Sequence, residues 1–140
     1  MRAVVQRVAR AAVRVGGETV GRIDAGILLL AGCEKGDTDE DFRWIAHRVA
    51  NLRLFPPETV DDGGHFERSL IEVGGAVLAV SQFTLLGDAR KGRRPSFSDA
   101  MPVEEARNSF ERFVAILRET GLSVETGRFQ EIMDIESVNH

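Results

Sequence analysis

Gly74-Gly75-Ala76-Val77-Leu78-Ala79-Val80-Ser81-Gln82-Phe83-Thr84-Leu85-Leu86-Gly87 decides how the rest of the chain is read. A Gly pair opens it, and small or branched apolar residues follow. That run is too short for an ordinary helix and reads as a strand covered on both faces. At Ser81 the character changes. Ser81, Gln82 and Thr84 can all hydrogen-bond, with only Phe83 between them. A buried polar group without a partner costs about 1–3 kcal/mol, so this cluster either caps neighbouring backbone or serves a ligand. Strand alternation carried through it puts Gln82 and Thr84 on one face, Ser81 and Phe83 on the other. Arg90, Lys91, Arg93 and Arg94 then follow within five residues. Alone they are a solvated turn; beside a polar strand end they suit a phosphate-bearing substrate.

The 140 residues read as one domain, 1–140, long enough to bury a core. A net charge of −4 provides no global basic field, so any nucleic-acid contact depends on a local patch. Cys33 is the one cysteine, which excludes an internal disulfide, and within an apolar run it reads as a buried hydrophobe. The N-terminus has charges where a signal peptide needs an apolar stretch, and no apolar run approaches a membrane span. A cytoplasmic location is the default expectation.

Working outward, residues 1–34 read as β structure. Ala3–Val5, Ala11–Val15, Thr19–Ile23 and Ile27–Ala31 are the segments, and Gly16-Gly17 and Asp24-Ala25-Gly26 the turns. A helix is expected after Asp37 or Thr38, with Asp39, Glu40 and Asp41 at its positive end. Phe42, Ile45, Ala46, Val49 and Leu52 form its apolar stripe. Phe55-Pro56-Pro57 stops it; Glu58 to His65 is a loop, and Phe66 to Val73 is expected to be strand-like. His47 and His65 read as solvated residues. A second helix spans about Pro102 to Thr120, ended by Gly121, and buries Ala106, Phe110, Phe113, Val114 and Leu117. Leu122–Thr126 and Ile132–Val138 alternate as strands. The order is not a regular βαβ series. It predicts an α+β fold: a largely antiparallel or mixed sheet with two main helices on one side.

Several chemistries lack their signatures. There is no phosphate-binding Gly-rich loop with its Lys, no dinucleotide fingerprint, no CxxC or HExxH, and no nucleophile elbow around Ser81. No metal or cofactor is expected. A nucleophile without a base is weak, so an enzyme built from these residues works by positioning and polarising its substrate, backbone N–H donors included.

Three motifs together resemble one family. Ser81-Gln82-Phe83-Thr84-Leu85, then Lys91-Gly92-Arg93-Arg94-Pro95-Ser96-Phe97, then Thr126-Gly127-Arg128-Phe129 with Ser137-Val138-Asn139, resemble the D-aminoacyl-tRNA deacylases, first described as D-tyrosyl-tRNA deacylases. Val5-Gln6-Arg7-Val8 fits as well, so the likeness runs along essentially the whole chain. It implies a compact, barrel-like β/β/α fold, a homodimer, and hydrolysis of the ester joining a D-amino acid to tRNA, with glycine esters as a possible second substrate. It implies no membrane and no DNA partner. By this resemblance Ser81, Gln82 and Thr84 are the catalytic candidates, and Phe83, Phe129, Met133 and Arg7 the substrate-binding ones. Arg90, Lys91, Arg93 and Arg94 are expected to contact RNA. Two mechanisms are open, a Thr84 nucleophile or assistance by the RNA 2′-hydroxyl, and the absent base favours the second. A non-catalytic tRNA-binding module and a metabolite-binding barrel are the competing readings.

The sequence departs from the family at its end. Relatives continue past Asn139-His140 with Gly-Pro-Val-Thr and a last strand, and that Gly-Pro reaches the partner's pocket to exclude L-amino acids. The expectation is a truncated chain with impaired chiral rejection, in which Arg7, the family's support for that motif, has nothing to hold.

Overall fold

The computed structural model describes residues 1–58 and 66–140; His65 and the Gly63-Gly64 pair lie outside the described residues. The first two expected strands are a single one, β1 (Arg2–Val15). It turns at Gly16-Gly17 into β2 (Glu18–Ile23), and β3 (Gly26–Gly32) follows. Ala11 faces Ile23 and Val8 faces Gly26, so β2 and β3 run back along β1 as one return strand, bent at Asp24-Ala25. The irregularity at Ala9, where β1 also changes register with the last strand, resets which side chains face inward. Ala3 and Val5 therefore pack toward the helices, whereas Val8, Ala11 and Val13 pack into the opposite layer.

Helix α1 (Asp39–Asn51) begins after Thr38, whose N–H and hydroxyl both donate to the Asp41 carboxylate at 2.8 and 2.9 Å. It buries Phe42, Ala46, Val49 and Ala50. Leu52 does not extend the stripe: its backbone is extended, it ends the helix, and its side chain is exposed. Two short strands, β4 (Arg53–Phe55) and β5 (Arg68–Ser69), pair antiparallel. The expected strand over Phe66–Val73 shrinks to those two residues. Glu72 accepts from the Ser69 N–H and hydroxyl at 2.6 and 2.8 Å, which folds the segment into a turn instead.

The quoted stretch supplies β6 (Ala76–Ser81), and helix α2 (Val103–Glu119), β7 (Ser123–Thr126) and β8 (Asp134–Asn139) complete the chain. β6 lies parallel between β3 and β7, and β8 pairs antiparallel with the free edge of β1. Central parallel strands are covered on both faces, which explains their continuous apolar runs. Ile27, Leu29, Val77 and Ala79 face the helices, where Phe42 and Phe113 meet edge to face at 6.0 Å. Leu28, Leu78 and Val80 face the other way, onto Val8, Val13 and Ile23. That second layer exists because the sheet curls until β2 approaches β7. Gly21 permits the approach: a Cβ there would sit 2.3 Å from the Thr126 carbonyl oxygen. The expected mixed, barrel-like sheet with both helices on one side is the observed architecture.

Candidate active site

Three parallel strands, β3, β6 and β7, point their C-terminal ends the same way, which is where open α/β sheets place ligands. Cys33 follows β3, Ser81 and Gln82 close β6, and Phe129 follows β7. These ends and the start of α2 enclose a cavity of about 570 Å³, within the usual size of a small-molecule site. Ser81, Gln82, Phe83, Phe129 and Met133 all line it.

The polar end of the quoted stretch is not a continued strand. β6 stops at Ser81, the Gln82 N–H still reaches the Ala31 carbonyl at 2.8 Å, and residues Phe83–Leu86 wind into a 3₁₀ turn. The expected alternation of faces is thereby overturned. Gly32 makes the turn possible, since a Cβ there would meet the Leu86 side chain at 2.5 Å and the Gln82 carbonyl oxygen at 2.8 Å. The first bond of the turn is Leu85 N–H to Gln82 C=O at 3.2 Å. A turn of this kind leaves its leading N–H groups, those of Phe83 and Thr84, without acceptors inside it. Thr84 itself is exposed and does not line the cavity; its hydroxyl accepts from the Gln82 side-chain amide.

Phe83 leans edge-on against Phe97 at 5.1 Å between ring centres, and both are partly exposed at the cavity. Such a pair offers a face on which a nucleobase can stack. The opposite wall is braced by Arg107 of α2, which lies 4.9 Å over the Phe129 ring and donates to the Gln130 side-chain oxygen. Gln130, at φ 65°, is the one non-glycine residue in the left-handed region among the described residues. Phe97, Met101 and Gln130 were missed in the sequence. Phe97 left a signal, an aromatic alone in a Ser- and Pro-rich loop; Gln130 left none.

Cys33 lines the cavity as well, and burial, then the Asp37 charge, push its thiol up to about 11, far from a reactive thiolate. Among the described residues no cluster of His, Cys, Asp or Glu could hold a metal ion. The cationic loop lies apart from the lining. An antiparallel bridge between Asp88 and Ser96 closes its base. Arg90 turns back on Asp88 with contacts of 2.9 and 2.7 Å, which hold the Asp88 carboxyl below its ordinary range and spend that cation locally. Lys91, Arg93 and Arg94 are exposed and carry no ion pair among the described residues. Arg7 also lies away from the cavity, yet it is not idle. Its guanidinium donates to the His140 carbonyl at 3.0 Å and to the Leu54 carbonyl, so the expectation that it holds nothing is wrong.

Residues 4–140 match the family model described as D-Tyr-tRNA(Tyr) deacylase. A D-aminoacyl-tRNA deacylase of Geobacter sulfurreducens is 51% identical over 99% of this chain and 89% of the relative. One from Desulfitobacterium hafniense is 52% identical over 99% and 91%. Among solved structures, the c-Myc DNA Unwinding Element Binding Protein superposes with a TM-score of 0.91 at 38% identity, covering 100% of this chain and 93% of that one. A probable eukaryotic D-amino acid tRNA deacylase superposes at 0.83 with 17% identity over 99% and 93%, a likeness of fold.

Proposed function

This chain belongs to the D-Tyr-tRNA(Tyr) deacylase family, and on that premise we propose that it hydrolyses the ester joining a D-amino acid to the terminal ribose of tRNA. One observation carries the reading: the Ser81-Gln82-Phe83 strand end opens into the large cavity, and among the described residues that line it no histidine stands beside Ser81. Terminal adenine stacks on the Phe83–Phe97 pair, and the aminoacyl group reaches inward toward Phe129 and Met133. Water adds to the acyl carbon; the Phe83 N–H group, which the turn leaves without an acceptor inside it, receives the developing oxyanion. Collapse expels the ribose oxygen, which takes up a proton, with the neighbouring 2′-hydroxyl of the RNA assisting. Free tRNA and free amino acid are the products. Ser81, Gln82 and Thr84 act by holding this geometry. Lys91, Arg93 and Arg94 engage tRNA phosphates, with RNA rather than DNA as the partner. Glycine esters, lacking a side chain, fit the same cavity.

A second copy of the chain completes the assembly. Phe83, Val103 and Ile135 line the cavity 56%, 49% and 36% exposed, and Ile132, next in sequence to the lining residues Glu131 and Met133, is 90% exposed, an apolar surface that favours burial against a partner. Release of amino acid from D-tyrosyl-tRNA and L-tyrosyl-tRNA, assayed in parallel, tests the function. Release of amino acid from the D ester is the expected result. Binding of tRNA without release of amino acid would reduce the protein to a tRNA-binding module.

A further inference from the structure

On the outer face of the sheet, β1 carries a second concavity of about 230 Å³ that has no part in the cavity described above. Ala12 sits between Arg22 of β2 and Glu136 of β8, its two cross-strand neighbours. Arg10 and Arg14 lie two residues before and after it on the same face, about 7 Å away along the strand. A methyl group is thus surrounded by three guanidinium stems, and the small side chain leaves a pit where a longer one would fill it. Thr19 and Ser137 also line the pit, along with Asp24 at the β2–β3 bend. Glu136 engages Arg14 at 3.3 Å. Arg10 and Arg22 are exposed and have no ion pair among the described residues.

Clustered cations that a folded chain does not neutralise repel one another, so they are tolerated only where solvent or an anion compensates them. Asp24 and Glu136 leave the pit net positive on a chain whose formal charge is −4. Planar guanidinium groups match phosphate oxygens in paired contacts. The pit is also close to the cavity. Ile135 of β8 lines the cavity and its neighbour Glu136 lines the pit, so one strand separates the two. An RNA whose 3′ end enters the cavity has its remaining phosphates within reach of the far side of that strand.

We propose that the Arg10–Arg14–Arg22 pit binds the phosphodiester backbone of the substrate RNA behind its aminoacylated end, a second anchor distinct from the Arg93–Arg94 loop. The proposal rests on the tRNA reading given above, and its test is independent of turnover. Binding of uncharged tRNA is measured as a function of salt for the unaltered protein and for Arg10→Gln/Arg22→Gln. Two lost phosphate contacts should weaken binding roughly tenfold or more and lower the salt slope by about 2, near 1 for each contact. The charge-retaining Arg10→Lys/Arg22→Lys pair should recover most of that slope. Glu136→Gln frees Arg14 and should tighten binding, a sign that a folding defect does not produce. Hydrolysis of a D-tyrosyl ester of the terminal trinucleotide, too short to reach the pit, should be unchanged in all variants. Unchanged affinity and slope in the Gln pair would overturn the proposal, as would equal loss of binding to a DNA duplex of similar length. Failure of the unaltered protein to cleave the trinucleotide ester instead sinks the deacylase reading, with the binding arm still deciding the pit.

Discussion

Thr84 shows how much a single residue's role depends on where its backbone goes. In a continued strand its hydroxyl would share a face with Gln82 and could point at substrate. The 3₁₀ turn moves it out of the cavity lining and gives its oxygen to the Gln82 amide. An unactivated hydroxyl in that position is a poor nucleophile. Thr84→Ala should therefore keep kcat within about tenfold, the reach of one lost orienting contact of about 1 kcal/mol. A tRNA ending in 2′-deoxyadenosine should be nearly inert. A loss of several orders of magnitude in the variant, with a trapped acyl-enzyme, would restore a covalent route. Ser81 and Gln82 were legible in the sequence because polar residues ending an apolar strand need a reason. Their geometry was not, since the turn depends on the absence of a side chain at Gly32, fifty positions earlier in the chain.

At the scale of elements, the cationic loop separates into unequal parts. Arg90 is held by Asp88 within the loop, and Arg93 and Arg94 project from it. Replacing Arg93 and Arg94 together with Ala should raise KM for charged tRNA and flatten its salt dependence, whereas Arg90→Ala should change the slope little. Equal effects from both would mean that the Asp88 contact does not persist in solution. The start of α1 makes a pH prediction. Hydrogen bonds from the Thr38 N–H and hydroxyl hold the Asp41 carboxyl below its ordinary value. A depressed folded-state value stabilises above the unfolded one, and that stabilisation is lost as pH falls through the range below about 4. Asp41→Asn removes the contribution at neutral pH, so its urea midpoint should start lower and decline less steeply on acidification. Parallel curves for the two proteins would show that the cap contributes nothing.

For the whole molecule, closure of the sheet is the feature on which the cavity depends. β2 reaches β7 at Gly21, against the carbonyl of Thr126 and the Leu78 side chain. Gly21→Val forces backbone apart, which should cost at least the 1–3 kcal/mol typical of overpacking. The wall from Gly127 to Phe129 follows directly after Thr126, so deacylation should fall along with the melting temperature. A variant with unchanged melting and activity would mean that closure at β2–β7 is dispensable. Among the described residues, no helix is long and apolar enough to cross a membrane.

The sequence by itself determined the elements with strong local patterns. The Ala76–Val80 run, the Thr38 and Pro102 helix starts, and the Phe110–Leu117 stripe each follow from spacing and end signals within a dozen residues. It also announced the site, because Ser81-Gln82-Phe83 breaks a pattern that packing alone would have continued. Only the tertiary structure decided which residues meet. The merger of the first strands into β1, the bend at Asp24-Ala25, the 3₁₀ turn and the Phe129–Gln130 wall all depend on partners far away in the chain. Burial and backbone pairing between distant segments overrode alternation there, as they do wherever local preferences are weak. The Arg10–Arg14–Arg22 pit is the clearest case. Arg22 comes beside the other two only because β2 pairs back along β1 at Ala12, and no spacing in the sequence places three cations around one methyl group.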